Sequence, residues 1–202
     1  MHTMIKISIL LFFTTIVAGC KHDDNPIVPP LLTYNIMPLT IGNHWIRKTA
    51  VFDTSGTAIA TVYDTVRVLR DTLIDNKKWY VVFNYDGEYI LQNKSDGLWL
   101  FWSGGGALQY KYPANSGDSY RYFANTDPTR VLSTDSIITL SSVSFHCYVY
   151  YTFFMQPTVN GKMFEFYSPN VGFVYREYYQ SFINPAKLYL YSRTQLVTYA
   201  VN

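Results

Sequence analysis

The 202-residue chain is poor in cysteine, in charge and in helical signal. Its two cysteines, Cys20 and Cys147, exclude a disulfide framework, so the fold must rest on packing. A formal net charge of +2 leaves neither the basic field that nucleic-acid binding needs nor an acidic one. Past the N-terminal segment the histidines are His22, His44 and His146, too scattered to ligate zinc. Asp23-Asp24-Asn25 lacks the alternating spacing and distal glutamate of a calcium loop. There is no Gly-x-Ser-x-Gly elbow, and Gly104-Gly105-Gly106 is not followed by the Lys-Ser or Lys-Thr of a phosphate loop, so it reads as a hairpin end. No metal and no cofactor are expected. No window of ten or more residues carries apolar side chains at the 3.6 spacing of an amphipathic helix.

What is abundant is aromatic: 19 tyrosines, 13 phenylalanines and an aromatic fraction of 18%. Aromatic and β-branched side chains suit half-buried pleated surfaces. Strands are expected from Trp45 to Phe52 and from Ile59 to Arg70, the second with Val62, Val66 and Val68 on one face. Asp86-Gly87 marks a hairpin between Lys77–Asn84 and Glu88–Asn93, and Ser95-Asp96-Gly97 turns the chain into Leu98–Trp102. Further strands are expected at 107–112, 120–124, 130–139, 143–154, 162–167, 172–182 and 187–199. The fold class is all-β: an antiparallel meander of about twelve strands curled into a barrel, half-barrel or sandwich.

The first twenty residues have a different character. A short start with one lysine leads into an apolar run from Ile7 to Ala18, well short of the ~20 residues that span a bilayer. Val17-Ala18-Gly19-Cys20 resembles the bacterial lipobox, which implies cleavage before Cys20, a diacylglycerol on its thiol and acylation of its amine. Several acyl chains make a durable anchor, since each buried methylene contributes ~0.8 kcal/mol. Residues 1–19 are then a removed signal, residues 20–33, with Pro26, Pro29 and Pro30, an extended tether, and residues 34–202 one β-rich domain. Lys21-His22-Asp23-Asp24 resembles the lysine-plus-acids stretch that sends Bacteroidota lipoproteins to the outer face of the outer membrane, with His22 interposed.

Pro38-x3-Gly42-Asn43-x-Trp45 recurs as Pro113-x3-Gly117-Asp118-x-Tyr120. Proline stiffens the approach, glycine takes positive φ, and Asn or Asp bonds its own backbone, so the physical content is a repeated turn. With Tyr112 to Asp118 and the later Pro169-Asn170-Val171-Gly172-Phe173-Val174, the chain resembles a loose group of bacterial lipoproteins and secreted β-proteins. That resemblance implies an antiparallel β fold and brings no activity with it.

Cys147 and His146 are neighbours on one strand and so point to opposite faces, which makes Cys147 a core residue and not a nucleophile. Glu88, Glu165 and Glu177 are expected as exposed strand glutamates. The residues with promise for ligand binding are aromatic: Trp99 and Trp102 beside the glycine loop, and Tyr175, Tyr178 and Tyr179 on a late strand. They suggest a non-enzymatic module for a glycan, a lipid or an envelope protein, tied to the membrane by its lipid. The alternatives are an envelope hydrolase whose carboxylates converge only in the fold, and a structural subunit of an outer-membrane assembly.

Overall fold

A computed structural model describes residues 35–121, 128–155, 160–181 and 187–202. Thr33–Asn202 form one compact unit. The signal segment, Cys20 and the tether lie outside the described residues.

Twelve strands follow one another: β1 (His44–Phe52), β2 (Ala58–Ile74), β3 (Lys77–Asn84), β4 (Gly87–Lys94), β5 (Gly97–Trp102), β6 (Gly105–Lys111), β7 (Ser119–Tyr120), β8 (Thr129–Leu140), β9 (Val143–Met155), β10 (Asn160–Ser168), β11 (Gly172–Ser181) and β12 (Tyr189–Ala200). They form a single antiparallel sheet in the order β6-β5-β4-β3-β2-β1-β12-β11-β10-β9-β8-β7. The sheet curls into a nearly closed barrel, the first of the three closures expected from the sequence, and the described residues contain no helix. One expected strand is shorter than its pattern: β7 covers Ser119 and Tyr120, and residues 122–127 lie outside the described set.

Turn chemistry sets the strand ends. Asp53 caps the β1–β2 turn, its Oδ1 accepting from the backbone N–H groups of Ser55 and Thr57, both at 2.9 Å. Asp75 and Asn76 take left-handed φ of 51° and 59° between β2 and β3, as a two-residue hairpin loop requires. The repeated motif folds as the same object twice. Gly42 N–H donates to Val68 O and Val68 N–H to Asn43 O, while Asn43 N–H closes a turn on Thr40 O. In the second copy Gly117 N–H donates to Val131 O, Val131 N–H to Asp118 O, and Asp118 N–H to Asn115 O. Each copy therefore locks the entry of an opening strand onto the strand that follows it, β1 onto β2 and β7 onto β8.

The third motif meets the first. Trp45, 1% exposed, donates its indole N–H to Val171 O at 2.5 Å. Gly172 has φ +96° and sits under that ring, where a Cβ would lie 3.3 Å from Trp45 Nε1. Asn170 and Asn35 add a backbone bond of 2.8 Å. The barrel interior is filled by Trp45, Val66, Val68, Val82, Leu98, Leu100, Val131, Tyr150, Tyr167, Phe173 and Leu196. Cys147 lies in this core as expected, and burial pushes its thiol up to about 12. His146 points the other way, to Asp135 on the surface.

Candidate functional site in the barrel lumen

The interior is not filled completely. A cavity of about 310 Å³ lies between the β1–β4 wall and β6, β10 and β11, within the size range of ligand sites. Val66, Val82, Leu91, Leu98, Met163 and Phe173 give it an apolar half. Asn84 and the exposed Asp86, on the β3–β4 turn, form its rim.

The polar half follows from register. Residues directly opposite one another across an antiparallel pair share a face. Tyr150 (β9) stands opposite Glu165 (β10), Glu165 opposite Arg176 (β11), Arg176 opposite Thr194 (β12), and Thr194 opposite Thr49 (β1). The result is a polar row across five strands on the lumenal side. A β-bulge at Val174 shifts the register of β11 so that Phe173 and Arg176, three residues apart, both face the cavity. A second bulge at Gln109 does the same for Gln109 and Tyr110 on β6.

Glu165 is the centre of the row. It is buried at 7% exposure, which corrects the expectation of an exposed strand glutamate. Tyr110 donates its hydroxyl to Glu165 Oε2 at 2.9 Å across the lumen. Burial pushes the Glu165 carboxyl above its ordinary range, and Arg176, the Tyr110 hydroxyl and Arg47 offset part of that rise. Arg47 is bound through two nitrogens by Asp64, its direct cross-strand partner, and lies 5.3 Å over the Phe173 ring. Arg176 has a weaker setting. Its Nη2 reaches Thr194 Oγ1 at 3.4 Å, and its buried Nε–H has no partner. Thr129 and Thr152 pair their hydroxyls at 2.9 Å at another point of the wall. Among the described residues no three His, Cys, Asp or Glu side chains gather as a metal site.

The barrel has solved counterparts. A putative exported protein with a YmcC-like fold from Bacteroides fragilis matches with a TM-score of 0.51 at 16% identity, over 83% of this chain and 100% of that one. A putative lipoprotein from Parabacteroides distasonis matches with a TM-score of 0.40 at 16% identity, over 83% and 99%. No family model and no curated protein matches the chain. At that identity the first likeness establishes a shared fold.

The aromatic residues singled out in the sequence fall in separate places. Tyr175 and Tyr179 face away from the lumen and both donate to Glu177, at 2.8 and 2.9 Å, while Arg193 donates to it at 3.0 Å. Burial alone would raise the Glu177 carboxyl, but these three donors outweigh it and hold the group below its ordinary range. Tyr178 lies on the opposite face, stacked on Phe154 at 5.6 Å. Gly161 makes room for that pair, since a Cβ there would come within 2.4 Å of the Phe154 ring. Trp99 donates to Asp96 at 2.8 Å and carries the Lys94 ammonium 3.6 Å over its ring. Trp102 is 62% exposed on the β5–β6 hairpin. The lumenal set of Glu165, Arg176, Arg47 and Tyr110 was missed. The alternation of Met163, Glu165 and Tyr167 with Lys162, Phe164 and Phe166 leaves both faces of β10 apolar, so pairing with β9 and β11, and not the strand's own pattern, turns Glu165 inward.

Proposed function

We propose that the protein is a lipid-anchored component of the bacterial cell envelope, held at the outer membrane through Cys20 and displayed on its tether, and that its barrel binds a small ligand in the lumen. The observation that carries the binding reading is the cavity of about 310 Å³, apolar on one side and lined on the other by buried Glu165 and half-buried Arg176. An apolar pocket with a few convergent polar groups is the usual form of a small-molecule site. The hydrolase alternative needs two carboxylates about the reacting bond. The lining offers Glu165 in depth and Asp86 at the rim, while the nearby Asp64 is committed to Arg47. Binding without chemistry is the better account. Anchoring is supported by the lipobox-like Val17-Ala18-Gly19-Cys20, and export by the fold shared with a putative exported protein.

Both parts have a direct test. Cys20→Ser should move the protein from the detergent phase to the aqueous phase, and unchanged partitioning would refute the anchor. Thermal-shift screening of the full chain in detergent, with fragments of about ten non-hydrogen atoms, should yield stabilising compounds whose effect is lost when Val82→Trp fills the cavity. A screen with no stabiliser, or stabilisers indifferent to Val82→Trp, would refute lumenal binding.

A further inference from the structure

We propose that the ligand of the lumen is a small organic monocarboxylate, its carboxylate seated on the Arg176 guanidinium and its hydrocarbon body against Val66, Val82, Leu91 and Phe173. This inference rests on the lumen-binding reading and adds the chemical class of the ligand.

The charges lining the cavity are unequally satisfied. Arg47 has a carboxylate gripping two of its nitrogens. Arg176 has none: among the described residues it forms no ion pair, its one hydrogen bond is a 3.4 Å contact to a hydroxyl, and its buried Nε–H has no acceptor. A guanidinium presents five N–H donors in a planar fork that matches the two oxygens of a carboxylate. Arg176 is half-buried and only its Nε is shut off from water without an acceptor, so an anionic ligand would supply the partner that this nitrogen and the rest of the fork lack.

Glu165, opposite Arg176 on the next strand, is not that counter-ion. Its Oε2 is taken by Tyr110, and burial favours its uncharged form. As a carboxylic acid it is a donor, able to give a second hydrogen bond to a carboxylate held by Arg176. The groups facing it are Arg47 from β1, Tyr110 from β6, Tyr150 from β9, Tyr167 from its own strand and Arg176 from β11. A bound anion adds negative charge to this set and favours the proton on Glu165 further. In whatever pH range the free protein still holds Glu165 partly ionised, binding takes up a proton and tightens as pH falls.

Size and lining narrow the class. At ~30 Å³ per water, a cavity of 310 Å³ has room for about ten non-hydrogen atoms. One face is aliphatic and aromatic, so the occupant is an acid with a compact apolar body and not an inorganic anion.

Isothermal titration of the full chain in detergent tests this with four probes: phenylacetate, hexanoate, the neutral 2-phenylethanol and inorganic phosphate. The expected result is binding of phenylacetate or hexanoate, with 2-phenylethanol and phosphate at least tenfold weaker. Arg176→Met should cost at least tenfold in carboxylate affinity, and Arg176→Lys, which keeps the charge without the fork, should fall between. Glu165→Gln should bind the acid with its pH dependence removed. Equal affinity for 2-phenylethanol, or full affinity in a folded Arg176→Met or Arg176→Lys, would overturn the carboxylate and leave lumenal binding standing. Equal affinity for phosphate would overturn the organic body. Silence from all four overturns the inference, and combined with a silent fragment screen it overturns the lumen as a site.

Discussion

Tyr110→Phe removes one oxygen from the barrel interior and nothing else, which makes it the sharpest probe of the lumenal polar row. The phenol ring is 4% exposed and packs on Tyr167 at 4.1 Å and Tyr150 at 5.0 Å, contacts that phenylalanine retains. What is lost is the hydroxyl that donates to Glu165 at 2.9 Å and also hydrogen-bonds Tyr167. The folded-state pKa of Glu165 lies above its ordinary value. A group of that kind contributes stability that is fully present below its unfolded pKa, ~4.3, and is lost as pH rises through the folded one. In acid the bond joins two neutral groups and is worth about 1 kcal/mol. At alkaline pH it supports a buried carboxylate and is worth ~1.5–3 kcal/mol. The mutant deficit should therefore grow with pH, from about 2 kcal/mol near pH 4, where both bonds of the hydroxyl join neutral groups, to about 3 kcal/mol at a pH above the Glu165 titration. For a domain of this size ~2–4 °C accompanies each kcal/mol, so melting temperatures should differ by about 4–8 °C in acid and by about 2–4 °C more above that titration. Paired calorimetric scans of wild type and mutant at the two pH values read this directly, because the titrations of all other groups cancel in the difference. A deficit equal at both pH values, or larger in acid, would refute the assignment of Glu165 as a buried group that Tyr110 helps to ionise.

Three further outcomes are expected from the same fold. Glu177→Gln should behave with the opposite sign: the wild-type carboxylate is held low, so its contribution is present above ~4.3 and disappears as pH falls, and melting curves of mutant and wild type should converge in acid. Divergence toward low pH would count against the Tyr175, Tyr179 and Arg193 network. Gly97→Ala should cost at least ~3 kcal/mol, because the site has φ +143° and a Cβ would fall 2.0 Å from Tyr110 O; a urea midpoint lowered by less than about 0.5 M would contradict the β5–β6 geometry. In a Cys20→Ser chain, Cys147 should resist thiol reagents at pH 8 until denaturant is added, since it is fully buried and its thiol is raised to about 12; prompt stoichiometric labelling of the native protein would show that this part of the core is open.

Much of the fold was legible because its signals are local. Asp86-Gly87, Asp96-Gly97 and the alternation along Val66 and Val68 mark hairpins and strands without knowledge of the partner strand. The site was less legible because it depends on register between distant strands. Phe173 and Arg176 face one cavity only because the chain bulges at Val174 against β10, and no residue type announces that bulge. The same shift sends Tyr175 and Tyr179 outward and Tyr178 inward, so an aromatic cluster in the sequence is divided between two surfaces in the fold. Glu165 could not be read from its strand alone, because Phe164 and Phe166 make the other face of β10 as apolar as its own. Nor could the pairing of Tyr110 with it, 55 residues away.

The doubled turn at Gly42 and Gly117 divides the barrel into two six-stranded halves, and two halves meet at two joints. At one joint β1 and β12 are laced by eight paired positions. At the other, β6 and β7 are the terminal strands of the sheet, and tyrosine hydroxyls bridge the gap: Tyr120 donates to Gln109 O at 2.8 Å and Tyr150 to Lys111 O at 2.9 Å. Each such bond is worth about 1 kcal/mol, far less than a ladder. The barrel thus has a spine and a clasp. Tyr110, the residue that reaches in to Glu165, sits on the clasp side between the two bridged carbonyls. Gln109 and Lys111, whose carbonyls hold the clasp, flank Tyr110 directly in the chain, so the bonds that close the barrel and the bond that holds Glu165 rest on three consecutive residues.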